Sequence, residues 1–128
     1  MGTRSLVVFE NEVGEEICVV YRQYDGYPEG RGKELVEFLH GKRRVNGFGN
    51  TDVDQANGIG DLVAQWIAYE KVEKGNGPFH VGNVYVYPAG ERDFMEEFIY
   101  TVSPDEDGFK VTCRDTYTHE NVPLDNLW

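Results

Sequence analysis

Cysteine is scarce in this sequence, with only Cys18 and Cys113 among its 128 residues. A framework of several disulfide bonds, which stabilises many small secreted domains, is therefore excluded. Both cysteines lie in apolar, strand-like segments, which is typical of buried thiols in a reduced protein. We expect a cytoplasmic protein with two free thiols, and a single disulfide stays open if the two strands are neighbours.

Long apolar runs are also missing. No segment approaches the roughly 18 consecutive apolar residues that a membrane-spanning helix requires. The first residues lack the apolar core of a signal peptide. We therefore expect no membrane association.

Basic residues are fewer than acidic residues. The chain has 12 lysines and arginines against 23 acidic residues, which gives a formal net charge of −11. Such a chain does not neutralise a phosphate backbone, so direct nucleic-acid binding is not expected. An acidic surface can instead attract a basic partner or imitate nucleic acid. Residues 91–128 concentrate this charge, with ten acids and three bases.

Histidine is rare as well, and His40, His80 and His119 are far apart in the sequence. A zinc site needs clustered cysteine and histidine at defined spacing, and no such cluster occurs. No Ser-His-Asp or Cys-His arrangement is recognisable either. We expect no metal and no cofactor, and the sequence leans away from an enzyme without excluding one.

Hydrophobic periodicity divides the chain into elements in the order β-β-α-α-β-β-β. Alternating or β-branched segments predict strands, and apolar residues three and four positions apart predict helices. The predicted strands are Ser5 to Glu10, Glu16 to Tyr24, Phe79 to Tyr87, Phe94 to Val102 and Phe109 to Asp115, and the predicted helices are Lys33 to His40 and Gly58 or Asp61 to Lys74. The tail from Thr116 to Trp128 is irregular or adds a short strand.

Hairpins at both ends with two helices between them predict an α+β fold. The expected architecture is an antiparallel sheet of about five strands with two helices packed on one face. Because no β-α-β pattern repeats, a parallel nucleotide-binding sheet is not expected. No repeat or linker divides the chain, so residues 1–128 are expected to form a single domain.

The densest group of polar and aromatic side chains lies in residues 25–32, between the second strand and the first helix; we call it the 25–32 turn. Phosphate-binding loops occupy this position in nucleotide-binding folds. Here, however, Tyr27 replaces a required glycine and Glu34 replaces the serine or threonine that holds magnesium. A nucleoside-triphosphate site is therefore not predicted. An anion site at Arg31 and Lys33 stays open, as does a purely structural turn covered by Tyr24 and Tyr27.

Several segments resemble a family of small uncharacterised proteins found in bacteriophages, bacteria and archaea. The similarity covers most of residues 1–102 and is carried by the start Met1-Gly2-Thr3-Arg4, the turn Asp25-Gly26-Tyr27-Pro28, and the segments Val84-Tyr85-Val86-Tyr87-Pro88-Ala89-Gly90 and Glu96-Glu97-Phe98-Ile99-Tyr100-Thr101-Val102. The resemblance implies an intracellular, often phage-encoded accessory protein. It implies no particular activity.

Our leading hypothesis is a non-enzymatic accessory protein that engages a small ligand or a host protein through the 25–32 turn. Homo-oligomerisation stays open. The predicted binding residues are Arg22, Tyr24, Asp25, Tyr27, Arg31 and Arg92.

Two alternatives remain. One is a small hydrolase or nucleotide-modifying enzyme that uses Asp25 with His40 or Arg92. The other is an acidic nucleic-acid mimic that inhibits a host DNA-handling or defence protein. This mimic requires the carboxylates of residues 91–107 to form one ridge.

Overall fold

One six-stranded sheet forms the centre of the computed structural model, which describes residues 2–47 and 54–124. Its strands are β1 (Ser5–Glu10), β2 (Glu16–Arg22), β5 (Tyr85–Pro88), β6 (Phe98–Asp105), β7 (Gly108–Asp115) and β8 (Asn121–Val122), in the spatial order β5-β2-β1-β6-β7-β8. All neighbours are antiparallel except β1 and β6, which run parallel. The α+β class is confirmed, with one parallel pair and one more strand in the sheet than predicted.

The first hairpin follows directly from local sequence. β1 is rich in β-branched residues, which favour strands, and it pairs antiparallel with β2 so that Val7 lies opposite Val20. The Asn11 side-chain oxygen accepts the backbone N–H groups of Val13 and Glu15 at 3.1 and 2.9 Å. This turn fixes the register of the hairpin. The predicted hairpin is confirmed.

Two helices carry the apolar residues that cover the sheet: α1 (Lys33–Leu39) and α2 (Gly58–Ala68). A π-helical turn, Pro28–Gly32, leads into α1, and a second one, Tyr69–Glu73, continues α2. The first of these lies inside the 25–32 turn, which is therefore largely helical. Pro28 suits a helix start because its fixed φ is helical and its missing N–H would have no intrahelical partner there.

The two faces of the sheet are covered by different parts of the chain. The large core between sheet and helices includes Phe9, Val102, Leu35 and Trp66. The opposite face has a smaller core that contains no helical residue and is formed by Leu6, Val8, Val19 and Ile99, with Tyr21, Tyr87 and Phe94 packed against it. Both helices thus pack on one face, as predicted.

The predicted strand from Phe79 to Tyr87 is much shorter in the structure. The carbonyls of His80 and Gly82 accept hydrogen bonds from the Lys71 ammonium, at 2.7 and 2.9 Å, rather than from a neighbouring strand. Asn83 has φ +85°, which is incompatible with an extended strand. Residues 79–84 therefore form a loop, and pairing begins only at Tyr85.

The next predicted strand is displaced toward the C-terminus. It was expected from Phe94 to Val102, but β6 runs from Phe98 to Asp105 and includes Pro104. Pro104 lies opposite Phe109 near the end of the β6–β7 hairpin. The region between the helices also adds a small parallel pair, β3 (Arg43–Arg44) and β4 (Gln55–Ala56). The end of the tail, residues 125–128, lies outside the described residues.

The two cysteines do not meet. Cys18 lies on β2 and Cys113 on β7, with β1 and β6 between these strands, and both thiols are free. The disulfide left open by the sequence is therefore excluded, because the strands are not neighbours. Burial raises the pKa of Cys113 to about 12. Its thiol is accordingly unreactive at neutral pH.

Candidate functional site

The backbone of the 25–32 turn is fixed to the rest of the fold at several points. The Gly26 N–H donates to the Thr3 carbonyl at 2.8 Å, and the Tyr100 hydroxyl donates to the Gly26 carbonyl at 2.7 Å. Within the turn, the Arg31 N–H donates to the Asp25 carbonyl at 2.8 Å. The turn is thus held by a buried sheet residue and by the N-terminal segment.

Two glycines of the turn are required by close packing. A Cβ atom at Gly26 would lie 2.5 Å from the Ser5 side chain, and one at Gly32 would lie 2.7 Å from the Tyr100 hydroxyl. Neither distance is compatible with a real side chain. The glycine content of the turn therefore reflects its fit against β1 and β6.

The side chains of the turn divide into an outward and an inward group. Tyr24 and Tyr27 point outward and are 57% and 40% exposed, and the exposed Asp25 between them has φ +61°. Asp is one of the few residues that adopts this left-handed conformation readily. Because the backbone beneath them is hydrogen-bonded, the tyrosines are displayed on a fixed surface.

Arg22 turns inward at the end of β2. Its guanidinium contacts the Glu70 carboxylate, from a residue 48 positions later in the chain, and both residues are buried. Glu70 belongs to the second π-helical turn, where only 1% of it is exposed. This ion pair joins the sheet to the end of α2.

A second ion pair lies beside the first. Arg31, in the first π-helical turn, donates from one nitrogen to both carboxylate oxygens of Glu34, at 2.7 and 2.6 Å. The Glu34 carboxylate also lies close enough to Glu70 to raise the pKa of the Glu70 carboxyl by charge repulsion. We call Arg22, Arg31, Glu34 and Glu70 the inner charge cluster.

The pKa of Glu70 is raised by its surroundings in the cluster. Burial is the largest cause that raises the pKa of Glu70, to about 8, and the neighbouring Glu34 carboxylate raises it further, whereas Arg31 opposes the shift. The Arg22 guanidinium opposes it as well, since a neighbouring cation favours the ionised acid. Burial and a neighbouring negative charge thus act together on the pKa of Glu70.

Arg92, the sixth predicted binding residue, is not near the turn. It pairs with Glu16 at 3.0 Å, at the start of β2, whereas the 25–32 turn follows the end of β2. The intervening strand separates them by roughly 20 Å. The structure thus brings Arg22 and Arg31 together and places Arg92 at the opposite end of the sheet.

The catalytic pairs considered from the sequence are not assembled. Asp25 precedes the first π-helical turn, and His40 follows α1 at its other end. The seven residues of α1 alone span roughly 10 Å. Arg92 is distant for the reason given above, so Asp25 meets neither partner.

The acidic residues of positions 91–107 form two groups rather than one ridge. One group precedes β6 and the other lies at the β6–β7 turn, so the length of β6, more than about 20 Å, separates them. Basic residues lie among both groups: Arg92 in the first, and Arg44, whose guanidinium donates to the Glu106 carbonyl at 2.6 Å, in the second.

A groove of about 500 Å³ lies between α1 and the end of α2, and it was not predicted. We call it the helix groove; its lining residues are Phe38, Lys42, Gln65, Ala68, Tyr69, Val72 and Glu73. The Lys42 ammonium lies 4.5 Å from the Phe38 ring centre and donates to Gln65 Oε1 at 2.9 Å. Partial burial lowers the pKa of Lys42. The groove combines aromatic walls with one cation.

Sequence reasoning missed Glu34 and Glu70. A signal for Glu70 exists, because Ile59, Val63, Trp66 and Glu70 follow one another at the three- and four-residue spacing of a buried helix face. A glutamate on such a face needs a buried cation as its partner. Arg22, on an otherwise apolar strand, is the matching signal.

No protein-family model, curated protein or solved structure matches this chain. Among the described residues, no helix is long and apolar enough to cross a membrane. The same residues contain no cluster of three or more histidine, cysteine or acidic side chains that could hold a metal ion.

Proposed function

We propose that this chain is a binding protein without catalytic chemistry, and that it engages a protein partner through the 25–32 turn. One observation carries the proposal: Tyr24 and Tyr27 are exposed, yet the backbone that holds them is hydrogen-bonded to the fold. Tyrosines that are already fixed in position provide a large contact area at a small cost in conformational entropy.

The charge around the turn favours a basic partner. Asp25 and Glu29 are exposed beside the two tyrosines, and the net charge of −11 attracts positively charged surfaces at long range. Aromatic rings next to carboxylates suit arginine and lysine side chains, which combine cation–π contacts with ion pairs. The family resemblance adds the expectation that the partner is a host protein.

The inner charge cluster supports this surface from behind. Arg31 belongs to the turn, and its pairing with Glu34 connects the turn to α1, while Arg22 and Glu70 connect β2 to α2. These groups are engaged with one another and largely shielded from solvent. Their role in the proposal is to position the turn.

The test uses a photo-crosslinking amino acid at Tyr24 or Tyr27 in cells that naturally contain this protein. We expect one predominant basic protein to be crosslinked from both positions. Crosslinking from Tyr117, which is exposed in the turn after β7, is the matched control. Equal capture from Tyr117 would contradict the proposal.

The purified partner then provides a quantitative test. Replacing Tyr24 and Tyr27 together by alanine should weaken binding at least tenfold, because buried aromatic residues dominate most interfaces. Tyr117→Ala should leave the affinity unchanged. If the double variant binds as tightly as the wild type, the turn is not the contact surface.

A second candidate function is the binding of a small ligand in the helix groove. The observation that favours it is the groove itself, whose volume of about 500 Å³ and aromatic walls are typical of small-molecule sites. Thermal-shift screening separates the two candidates. A compound that raises the melting temperature of the wild type and of Tyr24→Ala, but not of Val72→Arg, binds in the groove.

A further inference from the structure

In the part of the chain that the structure describes, no strand pairs with the outer edge of β5. β5 pairs with β2 on one side, and it is the last strand of the sheet on the other. Tyr85 and Val86, which point to opposite faces of the strand, are 41% and 54% exposed. An open edge presents unpaired backbone N–H and C=O groups to another strand.

The loop before β5 displays apolar side chains next to this edge. Phe79 and Val81 are 97% and 87% exposed, which makes them the most exposed large hydrophobic residues of the described chain. The loop that carries them is fixed, because the Lys71 ammonium holds two of its carbonyls and the Gly77 N–H donates to the Lys71 carbonyl at 2.9 Å. The exposure is therefore a feature of an ordered loop.

We propose that a second copy of this chain pairs with the β5 edge in antiparallel fashion, so that the two sheets join around a two-fold axis. Phe79, Val81 and Val86 of both copies supply the apolar contact area. A two-fold axis uses the same surface twice, so every favourable contact occurs in duplicate.

Charge complementarity favours a second copy as the occupant. Near the start of β5, the Lys71 ammonium lies beside the loop that leads into the strand and gives this end a positive charge. The end of β5 is acidic, with three acids, Glu16, Glu91 and Asp93, and one base, Arg92. Two hydrogen bonds place these residues there: the Glu16 carboxylate accepts from the Gly90 N–H, and the Glu91 N–H donates to the Pro88 carbonyl. Antiparallel pairing places the basic start of one β5 against the acidic end of the other.

The proposed dimer contact is expected to be weak because β5 is short. The strand has four residues and ends at Pro88, which has no N–H to donate. Few backbone hydrogen bonds can form, and each copy carries a net charge of −11, which opposes association at long range. The dimer is therefore expected to dissociate reversibly on dilution.

Sedimentation equilibrium of the purified full chain over a wide concentration range tests the proposal. The wild type should fit a monomer–dimer equilibrium, and Val86→Lys should weaken the dimer at least tenfold, since an inward charge on an edge blocks strand pairing. Phe79→Ser should also weaken it. Val13→Lys, at an exposed apolar residue in the β1–β2 turn, is the matched control and should have no effect.

Amide hydrogen exchange provides a second measurement that does not depend on a variant. The backbone amides of β5 should exchange more slowly at high protein concentration than at low concentration, while those of β8, the other edge strand, should not change. A wild type that stays monomeric at every concentration overturns the proposal. A dimer that Val86→Lys leaves intact, or that protects β8 instead, overturns it as well.

Discussion

Strand β2 carries an ion pair at each end, and the two pairs behave in opposite ways. At its start, Glu16 pairs with Arg92 in partly exposed surroundings. At its end, Arg22 pairs with Glu70 in the interior. The pKa of Glu16 is lowered, mainly by its hydrogen bonds from Arg92, whereas the pKa of Glu70 is raised, mainly by burial.

The comparison shows that burial decides what an ion pair contributes. Near the surface, water still solvates both ions, so the carboxylate gains from its partner and pays little for desolvation. In the interior, the loss of hydration offsets the attraction, so the pKa of the acid is raised although a guanidinium contacts it. A glutamate–arginine pair is therefore expected to contribute little to stability at the start of β2. At the end of β2, losing one partner of the buried pair is expected to be costly.

The largest expected effect is the removal of one buried partner. Glu70→Ala should lower the free energy of unfolding by roughly 3–5 kcal/mol, because the buried Arg22 guanidinium loses the carboxyl oxygen that accepts its hydrogen bond. Glu16→Ala should cost at most about 1 kcal/mol. Urea unfolding followed by tryptophan fluorescence measures both values. Similar losses for the two variants would contradict the comparison.

Replacing the whole buried pair should restore most of this loss. In the double variant Arg22→Met with Glu70→Leu, no charge remains to be desolvated, and apolar side chains of similar volume fill the space. Such replacements are often neutral or stabilising by about 1–4 kcal/mol relative to the pair. The same urea measurement applies. A double variant as unstable as Glu70→Ala would show that the pair itself stabilises the fold.

The pH dependence of stability should reveal the raised pKa of Glu70. Its folded-state pKa, about 8, lies above the ordinary value of 4.5, so the folded state binds the proton more tightly than the unfolded state. The resulting stability is fully present below the unfolded pKa and is lost as the pH rises through about 8. Glu34→Gln removes the neighbouring negative charge, so the loss should become smaller.

Unfolding free energies measured between about pH 5 and about pH 9 test this expectation. Glu37→Gln, an exposed substitution on the same helix, is the control and should keep the wild-type slope. If Glu34→Gln and Glu37→Gln give the same slope, Glu34 does not influence Glu70.

The smallest expected effect concerns Glu16 and has the opposite sign. Its pKa is lowered from 4.5, so the stability it contributes is present above the unfolded pKa and is lost as the pH falls through the lower folded pKa. Glu16→Gln should therefore cost less than about 1 kcal/mol at neutral pH and nothing in acid. Melting temperatures of both proteins at neutral and acidic pH measure the difference. A difference that persists in acid would contradict the assignment.

Local sequence predicted the elements that depend on neighbouring residues. The β1–β2 hairpin follows from β-branched residues and an Asn-containing turn, and α2 follows from apolar residues at helical spacing. The predictions failed where distant groups intervened. Lys71 holds the loop that was predicted to be strand, and Pro104 is accommodated within β6 through its pairing with β7.

The candidate site was predicted in part. The turn and its exposed tyrosines were identified because aromatic and glycine residues concentrate there. Arg92 was wrongly grouped with the turn. The sequence does not show which end of β2 a residue tens of positions later will contact, and Arg92 contacts Glu16 at the start of the strand. Glu70 was overlooked, although its position in line with the buried face of α2 predicts a buried partner.

The sequence by itself determined the α+β class, the two helices on one face of the sheet and the acidic character of the chain, because these depend on composition and on periodicity within single elements. Only the tertiary structure decided the parallel contact between β1 and β6, the open edge at β5 and the partners of each charge. Each of those features joins residues that are tens of positions apart in the sequence. A local sequence pattern does not show which distant groups will be in contact, nor how deeply they will be buried.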